Sequence, residues 1–390
     1  MSKEKRRVPK LRFPGFTEDW EQRKLGECID SFAYGLNAAA KEYDGMHKYI
    51  RITDIDDETH NFIQSNLTSP DIDFNMDVSD YKLNVGDIVF ARTGASVGKT
   101  YLYTPNDGAL YYAGFLIRGR VKESCDAGFI YQNTLTKDYE SFIRITSQRS
   151  GQPGVNSKEY ATFSLNIPCK DEQEKISKVL NSLDELFTLH QRKLNNLKLK
   201  KKALLQKLFP KNGERYPELR FPGFTDAWEQ RELSSLTKYI GTGKSRFVIK
   251  EYGEYAILGS TNVIGYDDSY DYDGNFILTA RVGANAGQLY RYSGKVKITD
   301  NTVFLMSDNS QFIYYSLSHF DLRRLSFGTG QPLVKSSELQ KLKLCVPVSK
   351  SEQEKIGEIF NNIDNIITLH QRKLKHLQIQ KKSLLQKLFV

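Results

Sequence analysis

The sequence has few of the residues that build metal centres or disulfide frameworks. Its four cysteines are scattered over 390 residues without a Cys-x-x-Cys pair, and its six histidines show no metal-binding spacing. No stretch approaches 18 consecutive apolar residues, so no transmembrane helix is predicted. The basic N-terminus is not followed by the apolar segment of a signal peptide. We therefore expect a cytoplasmic protein in a reducing compartment.

Acidic residues are outnumbered by basic ones. The chain has 56 lysines and arginines against 47 aspartates and glutamates, which gives a formal net charge of +9 and a pI near 9.1. A basic excess favours a polyanionic partner, nucleic acid above all, although it is a weak signal by itself. The length allows two or more domains with cores of their own.

Two segments of the chain occur twice. Residues 11–25 and 219–233 are identical at 12 of 15 positions, and the only two tryptophans occupy matched places in them. Residues 188–209 and 368–389 are identical at 16 of 22 positions, and Glu-Gln-Glu-Lys-Ile precedes each. The first segment recurs after 208 residues and the second after 180, so the sequence between them is about 28 residues shorter in the second copy.

The sequences between the repeats differ greatly, although their flanks hardly differ. Near-identical flanks around divergent inserts suggest one scaffold that presents two different specificities. Short similarities survive, because residues 90–98 align with residues 279–287 and a Gly-Gln-Pro turn occurs in each insert. A turn leading into a strand is predicted at 85–92 and at 274–281. The inserts are therefore predicted to share one mixed α/β fold and to differ in surface.

Two long helices are predicted. From Asp171 to Phe209 there is no proline or glycine, and apolar residues recur with the 3-4 spacing of a coiled-coil seam over about five heptads. Asp171 and Ser351 each precede a glutamate by three residues, which predicts a capping box at each helix start, and Pro210 is predicted to end the first helix. Each helix would span about 38 residues, or about 57 Å.

The simplest partner for each helix is the other, because the two seams are near copies. The sequence does not fix their orientation, but an antiparallel pair would best place the inserts at opposite ends.

At matched seam positions, His190 with His370 and Lys201 with Lys381 either set the register or pack as ordinary seam residues. The basic final turns are either a solvated face or a contact to DNA phosphates or an acidic partner. The predicted seam comprises Ile176, Leu180, Leu183, Phe187, His190, Leu194, Leu197, Ile356, Phe360, Ile363, Ile367, His370, Leu374 and Leu377.

One segment is similar to a phosphate-binding loop. Gly94–Thr100 ends in Gly-Lys-Thr but is one residue short, because Thr93 stands where the first glycine belongs. The second copy has Gln288 in place of Lys99. A turn at a strand end is the expected structure. No other catalytic constellation and no metal site is found, so the sequence is typical of a binding protein.

The inserts are rich in Tyr, Phe, Asn, Ser and Thr and have glycine-punctuated loops. This composition suits a surface that reads base edges, and it also suits an ordinary β-rich domain. Basic side chains match phosphates or guanine, and glutamine matches adenine. On that chemistry, the candidate DNA-contacting residues are Arg92, Lys99, Arg149, Gln152, Lys244, Arg246, Arg281, Arg323, Arg324 and Gln331.

Taken in order, these segments resemble the specificity subunit of type I restriction–modification systems. The resemblance covers essentially the whole chain. It rests on the Glu-Gln-Arg segments that follow Trp20 and Trp228, on the Gly-Gln-Pro turns, on Glu-Gln-Glu-Lys-Ile, and on the Leu-His-Gln-Arg-Lys-Leu helices. Any one piece would be unspecific, but the combination, present twice, is highly specific.

The resemblance implies an α/β (mixed α+β) fold in which two target-recognition domains are separated by two long helices that form a coiled coil with pseudo-twofold repetition. It implies that each domain reads half of a split site in double-stranded DNA and that the helices set the gap. The implied regions are an N-terminal conserved segment 1–20, target-recognition domains 21–165 and 229–345, spacer-helix regions 166–210 and 346–390, and a repeated segment 211–228.

The resemblance also implies partners in the bacterial cytoplasm. Two modification subunits would dock on the helices, and two restriction subunits would complete an endonuclease and adenine methyltransferase. S-adenosylmethionine, ATP and Mg²⁺ are expected on these partners, and this chain is expected to be non-catalytic and to bind no cofactor. Two other interpretations remain open: a coiled-coil scaffold with protein-binding inserts, and an NTP-dependent enzyme that uses the 94–100 loop.

Overall fold

The computed structural model describes residues 7–211, 213–326 and 332–390. Short strands and short helices alternate along the chain, apart from two helices of 38 and 39 residues. The predicted mixed α/β fold with two long helices is therefore confirmed. The elements up to the first long helix are β1 (Glu21–Lys24), α1 (Leu25–Cys28), β2 (Ile29–Tyr34), β3 (Ala40–Glu42), β4 (Lys48–Ile50), β5 (Thr68–Pro70), β6 (Asp87–Ala91), β7 (Thr100–Leu102), β8 (Leu110–Tyr112), β9 (Leu116–Val121), α2 (Ala127–Asn133), α3 (Lys137–Thr146), α4 (Ser157–Ala161), β10 (Ser164–Ile167) and α5 (Lys170–Lys207).

The second half of the chain repeats this order with fewer elements. It also ends in a long helix. The elements are β11 (Glu229–Glu232), α6 (Leu233–Leu236), β12 (Tyr239–Thr242), β13 (Tyr255–Leu258), β14 (Val263–Asp267), β15 (Tyr272–Ala280), β16 (Leu289–Ile298), β17 (Thr302–Met306), α7 (Ser310–Phe320), α8 (Ser336–Gln340), β18 (Lys343–Val346) and α9 (Lys350–Leu388).

The chain divides into two compact units. The first comprises residues 1–192 together with 372–390, and the second comprises residues 193–371. Each unit thus combines one insert with half of α5 and half of α9. No helix in the described ranges is both long enough and apolar enough to cross a membrane.

Within each unit the two long helices run antiparallel. In the first unit, Ile176 near the start of α5 shares a core with Leu388 at the end of α9. In the second unit, Leu208 just beyond α5 shares a core with Ile356 near the start of α9. The favoured antiparallel orientation is therefore observed inside each unit.

A tryptophan from the repeated segment lies at the centre of each core. In the first unit, Trp20 packs edge-on against Phe129 of α2, with ring centroids 5.7 Å apart, and Phe129 stacks on Phe389 at 5.2 Å. The matched residues of the second unit pack in the same way: Trp228, Phe312 of α7 and Phe209. Burial of these rings explains why the tryptophan segment and the helix end recur in both copies.

The repeated segment also holds the start of each long helix. The guanidinium of Arg12 binds Glu172 of α5, and Arg220 binds Glu352 of α9. In addition, the Gln173 side chain donates to the carbonyl oxygen of Pro168 at 2.9 Å, as its counterpart in α9 does to Pro347. These contacts give the Glu-Gln-Glu-Lys-Ile motif a structural role at the junction of strand and helix.

The predicted capping residues are wrong, because both helices begin before them. Helix α5 begins at Lys170 and α9 at Lys350, so Asp171 and Ser351 lie inside the first turn. The backbone N–H of Gln353 donates to the carbonyl of Ser349, which places the cap two residues before the predicted one. An acid at position 171 still favours the helix, because its charge faces the positive end of the helix dipole.

The main sheets of the two inserts share the order of four strands, and the second sheet has two more. In the first unit the order is β2-β9-β6-β7, and in the second it is β12-β17-β15-β16-β13-β14. Strand β16 pairs antiparallel with β15 and, near its end, parallel with β13. In the first unit the same path is broken into β7 and β8, and β8 pairs in parallel with β4. The predicted common fold of the inserts is therefore confirmed.

Most of the extra length of the first insert follows β4. From Ile50 to Ala91 the chain advances 41 positions, whereas it advances 22 from the matched Leu258 to Ala280. The longer segment contains a turn in which His60 has a left-handed backbone, with φ of 56°. The side chain of Asn61 donates to Thr188 of α5 at 3.1 Å. The added residues therefore contact the long helix.

Candidate nucleic-acid interface

Arg92 directly follows the buried central strand β6 of the first insert. Its N–H donates to the carbonyl of Phe115 at 3.0 Å, and its carbonyl accepts from the N–H of Val155 at 2.9 Å. The N–H of Gly94 donates to the carbonyl of Pro153 at 2.9 Å. These bonds join the strand end to the Gly-Gln-Pro turn, and together they are called the arginine frame below.

The second insert builds the same arginine frame around Arg281, which follows β15. Its N–H donates to the carbonyl of Asn301 at 2.9 Å, and its carbonyl accepts from the N–H of Val334 at 2.8 Å. The N–H of Gly283 donates to the carbonyl of Pro332 at 3.0 Å. The sequence similarity between the two inserts therefore reflects one set of backbone hydrogen bonds.

A glycine lies beside each arginine frame. The N–H of Gly35 donates to the carbonyl of Leu116, and that of Gly243 to the carbonyl of Thr302. A Cβ at Gly35 would lie 2.3 Å from the oxygen of Ala113, and one at Gly243 would lie 2.3 Å from the oxygen of Thr299. Glycine is required at both places because the backbones approach too closely for a side chain.

The first insert presents cationic and aromatic side chains on this frame. The Arg92 guanidinium lies over the Tyr34 ring, 4.9 Å from its centroid. The Tyr34 hydroxyl is 3.2 Å from the hydroxyl of Ser157, and this hydrogen bond lowers the pKa of Tyr34. Phe115 is 59% exposed, which is uncommon for a phenylalanine. Arginine and exposed rings are the groups that bind guanine edges and unpaired or deformed bases.

The second insert presents different side chains at the matched positions. Thr242 stands where the first insert has Tyr34, and Asn301 stands where it has Phe115. Arg281 is exposed. Asparagine pairs with adenine edges, whereas phenylalanine contacts only apolar groups such as the thymine methyl. One backbone therefore carries two surfaces of different chemistry.

Of the three other predicted residues of the first insert, two form ion pairs within the protein. Lys99 forms an ion pair with Asp57 of the longer loop. Arg149 forms an ion pair with Glu159. Gln152 is exposed in the turn of the arginine frame. Of the four candidates in this insert, Arg92 and Gln152 are therefore the two that the frame brings together.

Two arginines lie near the second arginine frame. Arg323 and Arg324 belong to a 3-10 turn, Leu322–Ser326, and both are exposed. A Cβ at Gly287 would lie 2.7 Å from the backbone nitrogen of Arg323, so the loop after Arg281 packs directly on this turn. Arg323 also forms an ion pair with the aspartate two positions before it. Gln331 lies outside the described residues.

Lys244 and Arg246 extend the chain beyond β12. Both are exposed. The N–H of Lys244 donates to the hydroxyl of Tyr272 at 3.2 Å, and the carbonyl of Arg246 accepts from Lys297 at 2.8 Å. Because Gly243 is bonded to the residue after Asn301, this basic segment flanks the second arginine frame.

The segment similar to a phosphate-binding loop is a turn at a strand end, as predicted. Gly94–Ser96 forms a single 3-10 turn, and the chain then enters β7. A phosphate-binding loop leads instead into a helix, whose N-terminal N–H groups hold the phosphate. Within the described ranges, no cluster of His, Cys, Asp or Glu is arranged to hold a metal ion.

The predicted helix seam can be placed residue by residue. Lys201 and Lys381, also predicted in the seam, form ion pairs with Asp364 and Asp184. The buried seam residues are Ile176, Leu180, Leu194, Ile356, Phe360, Ile363, Ile367 and Leu374, and the half-buried ones are Leu183, Phe187, His190, Leu197, His370 and Leu377.

Sequence reasoning missed the residues that lie beside the two arginine frames. Tyr34 and Thr242 precede matched glycines at the 208-residue spacing of the tryptophan repeat, and this spacing was the available signal. Phe115 and Asn301 gave no such signal, because their place depends on the pairing of a strand end with a distant arginine.

Comparison with known proteins agrees with this structure. The sequence model described as the type I restriction modification DNA specificity domain matches residues 17–199 and 225–378. The MjaVIII type I restriction enzyme specificity subunit of Methanocaldococcus jannaschii is 22% identical, over 96% of this chain and 92% of that protein. The EcoprrI specificity subunit of Escherichia coli is 23% identical, over 73% of each.

A solved structure has the same fold. The crystal structure of the type I restriction–modification S subunit from M. genitalium superposes with a TM-score of 0.73, at 15% identity, over 98% of this chain and 99% of that one. The two matches to the specificity domain together cover most of the chain, and they coincide with the two inserts and their helices. DNA target recognition is the function of that family. The chain belongs to the type I restriction modification DNA specificity family.

Proposed function

We propose that this chain directs a type I restriction–modification complex to a split DNA site and that each insert reads one half of it. The observation that carries the proposal is the pair of arginine frames. Their backbone bonds match one for one, yet Phe115 in one frame stands where Asn301 stands in the other. Two binding surfaces of different chemistry on one backbone suit a protein that reads two different sequences.

The long helices set the gap between the half-sites. A helix of 38 residues is about 57 Å long, and half-sites one turn apart on a duplex are separated by roughly 34 Å. A spacer of this length reaches across such a gap. Because each unit contains halves of both helices, a change in helix length alters the spacer and leaves the inserts unchanged.

The helices also dock the modification subunits. Apolar side chains stay exposed at positions that correspond under the 180-residue repeat: Leu186 with Ile366, Leu189 with Leu369, and Leu199 with Ile379. Single exposed apolar residues are common on protein surfaces, so the weight of this observation lies in their recurrence at matched positions. Their occurrence in both copies supports two equivalent docking sites, one for each of two modification subunits.

The partner subunits carry out the catalytic steps. Two modification subunits bind S-adenosylmethionine and methylate adenine, and two restriction subunits use ATP and Mg²⁺ to translocate and cleave DNA. This chain is the non-catalytic member of the complex and acts in the bacterial cytoplasm. The phosphate-loop alternative has no support, because Lys99 is paired with Asp57 and a strand follows the turn.

Single-molecule methylome sequencing tests the proposal. Cells that express this chain with its cognate modification subunit are compared with cells that express the modification subunit alone. A new bipartite motif, methylated only when this chain is present, is expected. If the complex assembles and no bipartite motif appears, the chain is a scaffold and the proposal is wrong.

A further inference from the structure

One carboxylate in the first unit joins three elements of the structure. Asp184 of α5 accepts from the ammonium of Lys381 on α9 at 2.8 Å. The same oxygen accepts from the side-chain amide of Gln132 on α2 at 3.0 Å. That amide also donates to Asn181, one turn earlier on α5, at 3.2 Å. The carboxylate therefore connects the two long helices to the first insert.

The second unit repeats this arrangement with a different donor. Asp364 of α9 accepts from Lys201 on α5 at 2.6 Å and from the hydroxyl of Tyr315 on α7 at 2.7 Å. In addition, the guanidinium of Arg291 on β16 donates to Asn361 at 3.2 Å and lies 3.9 Å from Asp364. Each of these two sets, with one aspartate, one lysine and one donor from an insert, is called an anchor below.

The two anchors correspond residue by residue. Asp184 and Asp364 are 180 positions apart, as are Lys201 and Lys381. Gln132 and Tyr315 both stand three residues after the core phenylalanine of their short helix. The helix residues of the anchor are thus kept in both copies, whereas the donor from the insert differs. This correspondence indicates that the two long helices form the same contact with each insert, whatever residue the insert supplies as donor.

The chemistry of the anchor suits a fixed attachment. Lys381 and Asp184 are mostly buried, with side chains 19% and 30% exposed, and Gln132 is fully buried. Hydrogen bonds to a charged group are about twice as strong as neutral ones and are sensitive to direction. Phe129 and Phe312 also hold each insert on the helices by packing, and the anchor adds charge-assisted hydrogen bonds that depend strongly on direction.

We infer that Asp184 and Asp364 are positioning residues that determine which gap length the protein accepts. This inference rests on the proposed function. A gap that is one base pair longer moves a half-site by about 3.4 Å and turns it by about 35°. A rigidly attached insert rejects such a site, whereas an insert free to turn on its helices tolerates it. The anchor therefore acts on gap discrimination and has no part in the reading of bases.

The test uses the full chain assembled with its modification subunits. The complex selects from a DNA library that contains both half-sites, as read from the wild-type methylome, separated by random spacers of several lengths. The bound molecules are then sequenced. With Asp184→Ala, we expect the preference for the native gap over gaps one base pair different to fall about tenfold, with the half-site sequences unchanged. Lys381→Gln should have the same effect.

Matched variants separate positioning from a general loss of stability. Glu185 is the neighbouring exposed carboxylate on α5, and Glu185→Ala should leave the gap preference unchanged. Tyr315→Phe removes one hydroxyl from the second anchor without a change in packing. The gap preference of this variant can therefore be measured even if the aspartate variants do not assemble. Wild-type gap preference in assembled Asp184→Ala, Lys381→Gln and Tyr315→Phe complexes would overturn the inference. A wild-type complex that selects no fixed gap would refute the proposed function instead.

Discussion

The guanidinium of Arg12 binds both carboxylate oxygens of Glu172, at 2.8 and 2.9 Å, across 160 positions of the sequence. Glu172 is buried, and Arg12 is mostly covered. Arg220 and Glu352 form the same pair in the second unit at 2.7 and 2.8 Å. The hydrogen bond from Arg12 to Glu172 raises the pKa of Arg12, so the guanidinium keeps its charge throughout the neutral range.

Removal of one partner from this pair should be costly. Arg12→Ala leaves a buried carboxylate without its counter-charge, and we expect a loss of about 3–5 kcal/mol in the free energy of unfolding of the first unit. Chemical denaturation of the full chain measures this loss. Lys10→Ala, which changes an exposed neighbouring cation, is the control and should have little effect. If Arg12→Ala combined with Glu172→Gln is no more stable than Arg12→Ala alone, the buried charge is not the cause.

Gly35 should not tolerate a side chain. A Cβ there would lie 2.3 Å and 2.4 Å from two carbonyl oxygens, so Gly35→Ala forces the backbone of the first arginine frame apart. We expect a loss of at least about 2 kcal/mol in unfolding free energy, together with weaker DNA binding by the first insert. Gly151→Ala is the matched control for the unfolding free energy, because its Cβ would meet nothing within 4 Å. Equal losses of unfolding free energy in the two variants would show that close packing at Gly35 is unimportant.

Repetition made much of the fold predictable. The two copies indicated the long helices, their apolar seam and the common fold of the inserts, because core positions keep their spacing when surfaces diverge. The contacts of polar side chains were not predictable. Lys201 was assigned to the seam from its spacing, but its ion pair with Asp364 depends on the antiparallel orientation that the sequence left open. Likewise, the pair of Lys99 with Asp57 depends on the path of a loop that only the first insert has.

Arg92 and Arg281 should each act on one half of the DNA site. Alanine at either position is expected to weaken binding by about 1–3 kcal/mol and to relax the sequence preference in that half alone. Competition binding with single-base variants of the site measures both effects. Arg149→Ala is the control, because Glu159 already binds that guanidinium. If Arg92→Ala leaves affinity and sequence preference at the wild-type level, the arginine frame is not part of the interface.

His60 should make the first unit less stable in mild acid. Burial lowers the pKa of His60 below its ordinary value of about 6.5, and the charges of Lys381 and Lys99 lower it further. The folded state therefore binds this proton less readily than the unfolded state does. Neutral His60 therefore makes its full contribution to the free energy of unfolding above about pH 7. This contribution is lost as the pH falls through 6.5 towards the lower folded-state pKa, and the free energy of unfolding falls by at most about 1.4 kcal/mol per pH unit.

Asparagine is the informative replacement at His60, because it does not titrate and tolerates the left-handed backbone. Denaturation midpoints of His60→Asn should change less between about pH 7 and pH 5.5 than those of the wild type. Carboxylates such as Asp56, whose pKa is also lowered, titrate below this range. His319→Asn serves as a comparison in the second unit, where burial lowers the pKa of His319 in the same sense. If the denaturation midpoints of His60→Asn and the wild type change equally with pH, the loss of stability in mild acid does not come from His60.

The assignment of one insert to one half-site can be tested directly by exchange. Residues 21–165 are replaced by the equivalent insert of another specificity subunit, with both long helices left intact, and the methylome is sequenced in the presence of the cognate modification subunit. We predict a motif in which one half is new, while the other half and the gap length are those of the parent. A motif in which both halves change, or in which neither changes, would contradict the account.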